Sequence, residues 1–231
     1  MEKLIYQGKT KDVYENLDGT YTLKMKDDAT GKDGVFDPGE NAVGLSIDGF
    51  GLASLKLSKY YFEKLTEAGI PHHYLGCDIE KATMNVKPAI MFGNGVEFIC
   101  RKKADGSFLR RYGAYVKFGQ ELNYFVEATL KDDKRLDPTI SKEALSLLNI
   151  MDENDYETCE MLTKKIAKLI AEDLKENGLE LFDIKFEFGK DNNEIMLIDE
   201  ISEGCMRVYY KGEKLKPKQL GAHVFGTSIS C

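Results

Sequence analysis

Two strand-like segments near the C-terminus, residues 179–188 and 194–201, set the tightest limit on the fold. In the first segment Asp183, Lys185 and Glu187 alternate with apolar residues, which is the pattern of a strand with one polar and one apolar face. The second segment runs through four consecutive apolar residues and then reaches two carboxylates. A five-residue turn joins the segments, so the sequence predicts a hairpin that is anchored in a core and carries charged groups.

Helical periodicity appears in two other parts of the chain. Apolar residues recur at helical spacing over 52–65 and 159–174, and each run is followed by a glycine stop signal, Gly69 or Gly178. Strand-like segments precede, separate and follow these helices. This mixed order predicts an α+β fold rather than a doubly wound sheet. The glycine-rich stretch 31–51 is long for a compact domain, and we expect a functional or mobile loop there.

Composition excludes several classes of protein. With 231 residues, 42% hydrophobic and 31% charged, the chain is long and apolar enough to bury a core in one large domain or two lobes. Its net charge of −7, without a basic stripe, argues against nucleic acid as a partner. Five scattered cysteines without a C-x-x-C pair argue against a disulfide framework or structural zinc. Lacking a membrane-spanning apolar run and a signal sequence, the protein is expected to be cytoplasmic, with no membrane partner.

The predicted hairpin is the first candidate for chemistry. Glu187 and Asp199 on paired strands would form a hard-oxygen site suited to Mg²⁺ carrying a nucleotide. Lys185 between them could hold a phosphate or neutralise a developing charge. The same alternation also describes the solvated face of any half-exposed strand, and the residues alone leave both interpretations open.

Two basic segments are candidates for phosphate binding. The turn Gly8–Lys11 combines a glycine with two lysines, although an ordinary basic hairpin fits equally well. Residues 101–111 are the most basic stretch of the chain: Arg101 ends an apolar strand, and Ser107 could donate to a phosphate. A solvated surface loop is the competing interpretation. Arg207, beyond the second carboxylate strand, would supply a second arginine.

Together, and in this order, these segments resemble the SAICAR synthetase family of purine biosynthesis. Seven matching blocks lie within residues 8–14, 26–30, 67–71, 101–108, 131–138, 183–189 and 199–207. The resemblance implies an α+β fold of two lobes: a kinase-like lobe built on an N-terminal antiparallel sheet, and a larger α+β C-terminal lobe. We expect residues 1–88 to form the nucleotide-binding lobe and residues 89–231 the substrate- and metal-binding lobe.

The resemblance also implies a reaction. Members of the family are ATP-dependent amide ligases that join carboxyaminoimidazole ribonucleotide and L-aspartate through an acyl phosphate, giving SAICAR, ADP and phosphate. ATP and Mg²⁺ are the implied cofactors. The implied partners are these small-molecule substrates and further copies of the chain in a homo-oligomer.

The matching positions carry over a set of residue roles. The residues implied to bind the nucleotide are Lys9, Lys11 and Val13, with Val13 under the base. The implied metal ligands are Glu187 and Asp199, and the implied catalytic residues are Lys185 and Asp183. The residues implied to bind the substrates are Arg101, Ser107, Arg207, Asp33 and Asp137.

Three other functions stay open at this level. Differences from the usual family pattern around Asp33 and at residues 202–204 suggest a related ligase that uses another amine or carboxylate. A small-molecule kinase on the same scaffold is a second alternative. A nucleotide-binding module without catalysis is a third, and it is disfavoured because the chain retains Lys185, Glu187, Asp199 and Arg207.

Overall fold

The computed structural model describes residues 3–40 and 42–226, which form two compact units. Of the described residues, the first unit comprises 3–40, 42–89, 198–205 and 216–226, and the second comprises 90–197 and 206–215. The segments 198–205 and 216–226, which fall in the range expected for the C-terminal lobe, group with the first unit.

The N-terminal part of the first unit consists of strands and one long helix. Its elements are β1 (Lys3–Gln7), β2 (Lys11–Glu15), β3 (Tyr21–Met25), β4 (Asp28–Lys32), β5 (Val35–Phe36), β6 (Val43–Ser46), α1 (Phe50–Glu67), β7 (Tyr74–Asp78) and β8 (Thr83–Val86). An antiparallel sheet runs in the order β1-β2-β3-β8-β7, and a smaller sheet has the order β5-β4-β6. The stretch 31–51 is therefore more ordered than the single long loop that the sequence suggested, because it contains β5 and β6.

Helix α1 is anchored at its N-terminus by an aspartate from another segment. Asp27 accepts hydrogen bonds from the backbone N–H groups of Gly49 (3.1 Å) and Gly51 (3.0 Å). These donors have no partner within the helix, so the carboxylate satisfies them and complements the helix dipole. A Cβ at Gly51 would lie 2.7 Å from the carbonyl oxygen of Lys26, so only glycine fits this close approach.

The second unit is built on a large, mostly antiparallel sheet. Its elements are β9 (Ile90–Met91), β10 (Val96–Lys103), α2 (Gly106–Tyr112), β11 (Glu121–Leu130), β12 (Thr139–Ile140), α3 (Lys142–Leu147), α4 (Glu153–Glu176), β13 (Leu179–Asp191), β14 (Glu194–Ile198), β15 (Met206–Tyr210) and β16 (Glu213–Lys214). The order is β12-β11-β10-β13-β15-β16, with β14 and β9 also paired to β13. The α5 helix (Gln219–Phe225) then completes the first unit.

Strand β13 has the two faces that its alternating sequence predicted. It pairs antiparallel with β10, placing Phe186 opposite Phe98. The Phe98 ring packs against Phe188 of β13 (5.7 Å between centroids) and against Tyr156 of α4 (5.3 Å). Helix α4 therefore covers the apolar face of the sheet, and the opposite face carries the charged residues of β13.

The turn between β13 and β14 is shorter than predicted. The sequence suggested a turn over residues 189–193, but β13 continues to Asp191 and only Asn192 and Asn193 remain between the strands. Both asparagines have positive φ, 48° and 68°. Two consecutive residues with positive φ form a type I′ turn, whose twist matches that of the two flanking strands.

Three short helices, α2, α3 and α5, were not predicted from the sequence. The sequence of the basic stretch 101–111 is compatible with a solvated loop, but in the structure α2 occupies its second half. Among the described helices none is both long and apolar enough to cross a membrane. The four described cysteines, Cys77, Cys100, Cys159 and Cys205, are free thiols, and Cys231 lies outside the described residues.

Candidate active site

Two buried arginines of the second unit share one buried aspartate. Arg101 is 1% exposed and Arg207 is 5% exposed. Arg207 Nη1 donates to both oxygens of Asp183, at 3.0 and 3.1 Å, and Arg101 Nη1 lies 3.5 Å from Asp183 Oδ2. Burial raises the pKa of Asp183, and the Arg207 and Arg101 charges oppose that rise. The sheet thus holds two guanidinium groups in fixed positions where little water competes.

Strand register explains why these three residues meet. Arg101 on β10 is the direct partner of Asp183 on β13, and Asp183 is the direct partner of Arg207 on β15. Cross-strand partners project from the same face of a sheet. Three predicted site residues, distant in sequence, are therefore brought together by strand pairing.

The start of α2 completes this cluster. Arg101 Nη2 donates to Ser107 Oγ at 2.9 Å, and Asp105 caps the helix by accepting from the Gly106 N–H at 2.7 Å. Gly106 has φ 53°, and a Cβ there would lie 2.5 Å from Arg207 Cζ. The segment 105–107 can lie this close to Arg207 only because it contains glycine.

The other two predicted residues of β13 form ion pairs. Lys185 Nζ donates to Glu97 Oε1 at 2.7 Å, and Glu187 Oε1 accepts from Lys131 Nζ at 2.6 Å. Glu97 also accepts from Thr129 Oγ1 at 3.1 Å. Because Glu97 and Glu187 are buried, this part of the strand is not the solvated polar face that the sequence left open. It is a row of paired charges.

The two predicted substrate-binding aspartates lie in loops of different units. Asp33 lies in the exposed turn between β4 and β5 with φ 51°. Asp137 follows a 3₁₀ turn (Asp133–Arg135) and accepts from the Asp132 N–H at 2.8 Å. Burial raises the pKa of Asp137. Neither belongs to the arginine cluster described above.

In the first unit, Lys11 is paired with the two carboxylates predicted at the end of β14. Its Nζ donates to Asp199 and to Glu200. Asp199 has φ 70°, a conformation that non-glycine residues rarely adopt. The predicted nucleotide residue Lys11 and the predicted metal ligand Asp199 are therefore neighbours.

A buried histidine contacts the backbone of Asp199. His73 Nε2 lies 2.9 Å from the carbonyl oxygen of Asp199. Burial lowers the pKa of His73 to about 4, so the neutral ring donates its Nε2–H to that carbonyl. From the sequence, His72 and His73 beside Pro71 look like turn residues. That interpretation is wrong, because the structure has no turn at either residue: His72 forms a β-bridge, and the side chain of His73 is buried.

The remaining predicted nucleotide residues lie on the β1–β2 hairpin. Lys9 is exposed in the turn and Val13 is half-buried on β2. Lys26 Nζ donates to the carbonyl oxygen of Gly8 at 2.8 Å and pairs with Asp12 at 2.7 Å. These contacts fix the shape of the turn that carries the lysines.

Comparison with known proteins identifies the family. The SAICAR synthetase family profile matches residues 4–224. The chain is 54% identical to the phosphoribosylaminoimidazole-succinocarboxamide synthase of Clostridium tetani over 94% of its own length and 96% of the relative's. It is 35% identical to the enzyme of the same name from Thermotoga maritima, over 90% and 86% of the two chains. The chain belongs to the SAICAR synthetase family.

A solved structure supports the same assignment. A SAICAR synthetase (Type-2) in complex with ADP matches with a TM-score of 0.84 and 26% identity, over 98% of this chain and 99% of that one. The α+β fold of the SAICAR synthetases, predicted from the sequence, is confirmed. The predicted activity is confirmed as well: phosphoribosylaminoimidazole-succinocarboxamide synthase activity in purine biosynthesis, by an ATP-dependent ligase.

Several charged residues of the site are not singled out by any motif in the sequence. Glu127 on β11 accepts from both Arg101 and Arg111, Glu97 pairs with Lys185, and Asp105 caps α2. A weak signal was present at two of these positions. Glu97 and Glu127 are single acids between apolar neighbours, and a charge that is buried in such a place needs a partner.

Proposed function

We propose that this enzyme uses ATP to phosphorylate the carboxylate of carboxyaminoimidazole ribonucleotide and then joins that carbonyl to L-aspartate. In the first step the carboxylate oxygen bonds to the γ-phosphorus of ATP, and ADP leaves. In the second step the aspartate amine attacks the acyl carbon, loses a proton and displaces phosphate. The observation that carries this assignment is the pair of buried arginines, Arg101 and Arg207, held around Asp183.

The arginine cluster is proposed to hold the phosphate of the ribonucleotide. Arginine suits this task because its planar fork matches phosphate bidentately. Arg101 Nη1 is buried and has no hydrogen-bond partner among the described residues, and Ser107 supplies a hydroxyl beside the same guanidinium. Arg207 and Ser107 would complete the phosphate contacts. Asp183 is proposed to keep both arginines oriented.

The β1–β2 hairpin is proposed to hold the nucleotide. Lys9 and Lys11 would contact the ATP phosphates, and Val13 would lie under the base. Lys185 is proposed to bridge nucleotide and substrate, because its side chain lies on the charged face of β13 and is 32% exposed. A lysine there can neutralise charge that develops during phosphoryl transfer.

Glu187 and Asp199 are the proposed Mg²⁺ ligands. Among the described residues no three His, Cys, Asp or Glu side chains are grouped into a metal-binding cluster. A donor set of two carboxylates still fits Mg²⁺, which usually binds one or two carboxylates together with substrate phosphates. When bound, the ion would neutralise phosphate charge. Lys131 and Lys11 neutralise the two carboxylates in the structure as described.

The remaining assignments concern the second substrate, the oligomeric state and the cellular location of the enzyme. Asp33 and Asp137 are proposed to line the part of the site that receives L-aspartate. We further propose that the enzyme is a cytoplasmic homo-oligomer, as the family resemblance implies. Gel filtration with light scattering would test the oligomeric state, and a monomer would contradict it.

The first test measures ADP release with Mg-ATP and the ribonucleotide, with and without L-aspartate, and the mass of the product. Aspartate-dependent turnover with the mass of the succinocarboxamide would support the proposal. Release of ADP without that product would mean that another amine is used. Absence of ADP release would overturn the proposed phosphorylation step.

A further inference from the structure

Glu127 contacts two arginines of the second unit through its carboxylate. Its Oε1 accepts from Arg101 Nε at 2.7 Å and lies 2.6 Å from Arg101 Nη2. Both of its oxygens accept from Arg111 Nη2, at 2.5 and 2.6 Å. One buried carboxylate thus holds two guanidinium groups.

The contacts of Arg101 leave one part of its guanidinium for a ligand. Nε and Nη2 face Glu127, and Nη2 also donates to Ser107. Nη1 lies 3.5 Å from Asp183 Oδ2 but has no hydrogen-bond partner among residues 3–40 and 42–226, so it can still donate to a ligand. A guanidinium held along one edge cannot rotate, so the direction of Nη1 is set by Glu127.

Charge gives Glu127 a second role in the same cluster. Without the carboxylate between them, the like charges of Arg101 and Arg111 would repel each other. Arg111 belongs to the last turn of α2, and the same helix carries Ser107. The carboxylate therefore also ties α2 to the sheet beside Arg101.

We propose that Glu127 is the positioning residue for the ribonucleotide phosphate, orienting Arg101 and holding α2 beside it. This inference rests on the proposed role of Arg101 in binding that phosphate. Glu127 does not contact the reacting atoms in this proposal. It acts through Arg101 and Arg111.

The test measures KM for the ribonucleotide and for ATP in variants of Glu127, Glu180 and Arg101. Glu127→Gln keeps the shape but removes the charge. Because a hydrogen bond to a charged group contributes about 1.5–3 kcal/mol, we expect KM for the ribonucleotide to rise about ten- to hundredfold. KM for ATP should stay within about twofold, since the nucleotide residues belong to other elements. Glu127→Asp keeps the charge, so KM for the ribonucleotide should rise less than in Glu127→Gln.

Glu180→Gln is the matched control. Glu180 lies on β13 of the same sheet and pairs with Lys103 at 2.5 Å, outside the arginine cluster, so both KM values should be unchanged. Thermal unfolding of each variant separates loss of folding from loss of positioning. A purely structural role would lower the melting temperature and the active fraction without a selective rise in KM for the ribonucleotide, and that result would overturn the inference.

The Arg101→Lys variant tests the proposed phosphate role of Arg101 separately from the positioning role of Glu127. If that variant leaves KM for the ribonucleotide unchanged, the phosphate role of Arg101 is wrong. If Arg101→Lys raises this KM but neither Glu127→Gln nor Glu127→Asp does, the phosphate role stands and the positioning role of Glu127 is overturned. If KM for the ribonucleotide in the double variant is close to that of Arg101→Lys alone, the two residues act as one unit, as proposed.

Discussion

Replacing Gly106 by alanine should disturb the arginine cluster through backbone strain and a steric clash. Gly106 has φ 53°, a left-handed conformation that costs an alanine about 1–2 kcal/mol. Its new Cβ would lie 2.5 Å from Arg207 Cζ, well inside van der Waals contact. Arg207 cannot move away freely, because it is buried and donates to both oxygens of Asp183.

The expected cost of Gly106→Ala is the sum of two effects. Backbone strain contributes about 1–2 kcal/mol. Weakening the hydrogen bonds between Arg207 and Asp183 contributes about 1.5–3 kcal/mol more. The free energy of unfolding should therefore fall by about 2.5–5 kcal/mol, a large part of the 5–15 kcal/mol typical of a folded protein. KM for the ribonucleotide should rise with it, because Arg207 is displaced.

Gly212→Ala is the control for strain alone. Gly212 has φ 85°, and no other group lies within 4 Å of a Cβ built there. Urea unfolding followed by circular dichroism should show a loss of about 1–2 kcal/mol for this variant, with KM unchanged. Equal losses of stability in the two variants, together with an unchanged KM for the ribonucleotide in Gly106→Ala, would refute the steric argument.

Three further predictions concern the first unit. Burial raises the pKa of Glu203 from 4.5 to about 7, so between these pH values the folded state keeps a proton that the unfolded state releases. The free energy of unfolding should therefore fall by up to about 3 kcal/mol as pH rises from 4.5 to 7. Glu203→Gln should remove that fall. Asp199→Asn should lower turnover about 100-fold or more with the melting temperature nearly unchanged, because the variant removes the charge of the proposed metal ligand. Gly8→Ala should raise KM for ATP, since its Cβ would lie 2.6 Å from the Lys11 carbonyl oxygen and distort the turn that carries Lys9.

Each of these predictions has a measurement that could contradict it. Unfolding free energies at several pH values test Glu203, and identical pH profiles in the wild type and Glu203→Gln would contradict the assigned pKa. Coupled ADP release tests Asp199, and wild-type activity in Asp199→Asn would remove that residue from the site. Gly19→Ala is the control for Gly8, because it adds strain at φ 83° with no other group within 4 Å. An equal change in KM for ATP in both glycine variants would contradict the turn argument.

Local sequence patterns were sufficient for the main strands and the long helices. The alternation of residues 183–188 predicted the polar and apolar faces of β13, and helical periodicity predicted α1 and α4. These patterns succeed because burial of one face imposes a fixed period on the sequence. The same patterns failed for α2 and α5, which have only seven residues each and too few turns to show a period.

The candidate residues of the site were also named from sequence, through the order of seven short blocks. What the sequence could not supply was the partner of each charged group. Arg101 meets Asp183, and Asp183 meets Arg207, only through the register of three strands. Glu127 and His73 had no motif to mark them, and each owes its role to a contact with a residue far away in the chain.

The sequence by itself determined the fold class, the family and the chemical character of the site, because hydrophobic period and residue type are local properties. The tertiary structure alone decided which charges are paired and which donors remain for a ligand. Arg101 Nη1 is the example: its orientation depends on Glu127, and it makes no hydrogen bond within the described residues although it lies 3.5 Å from Asp183 Oδ2. Such pairings are set by strand register and burial, which no short stretch of sequence contains.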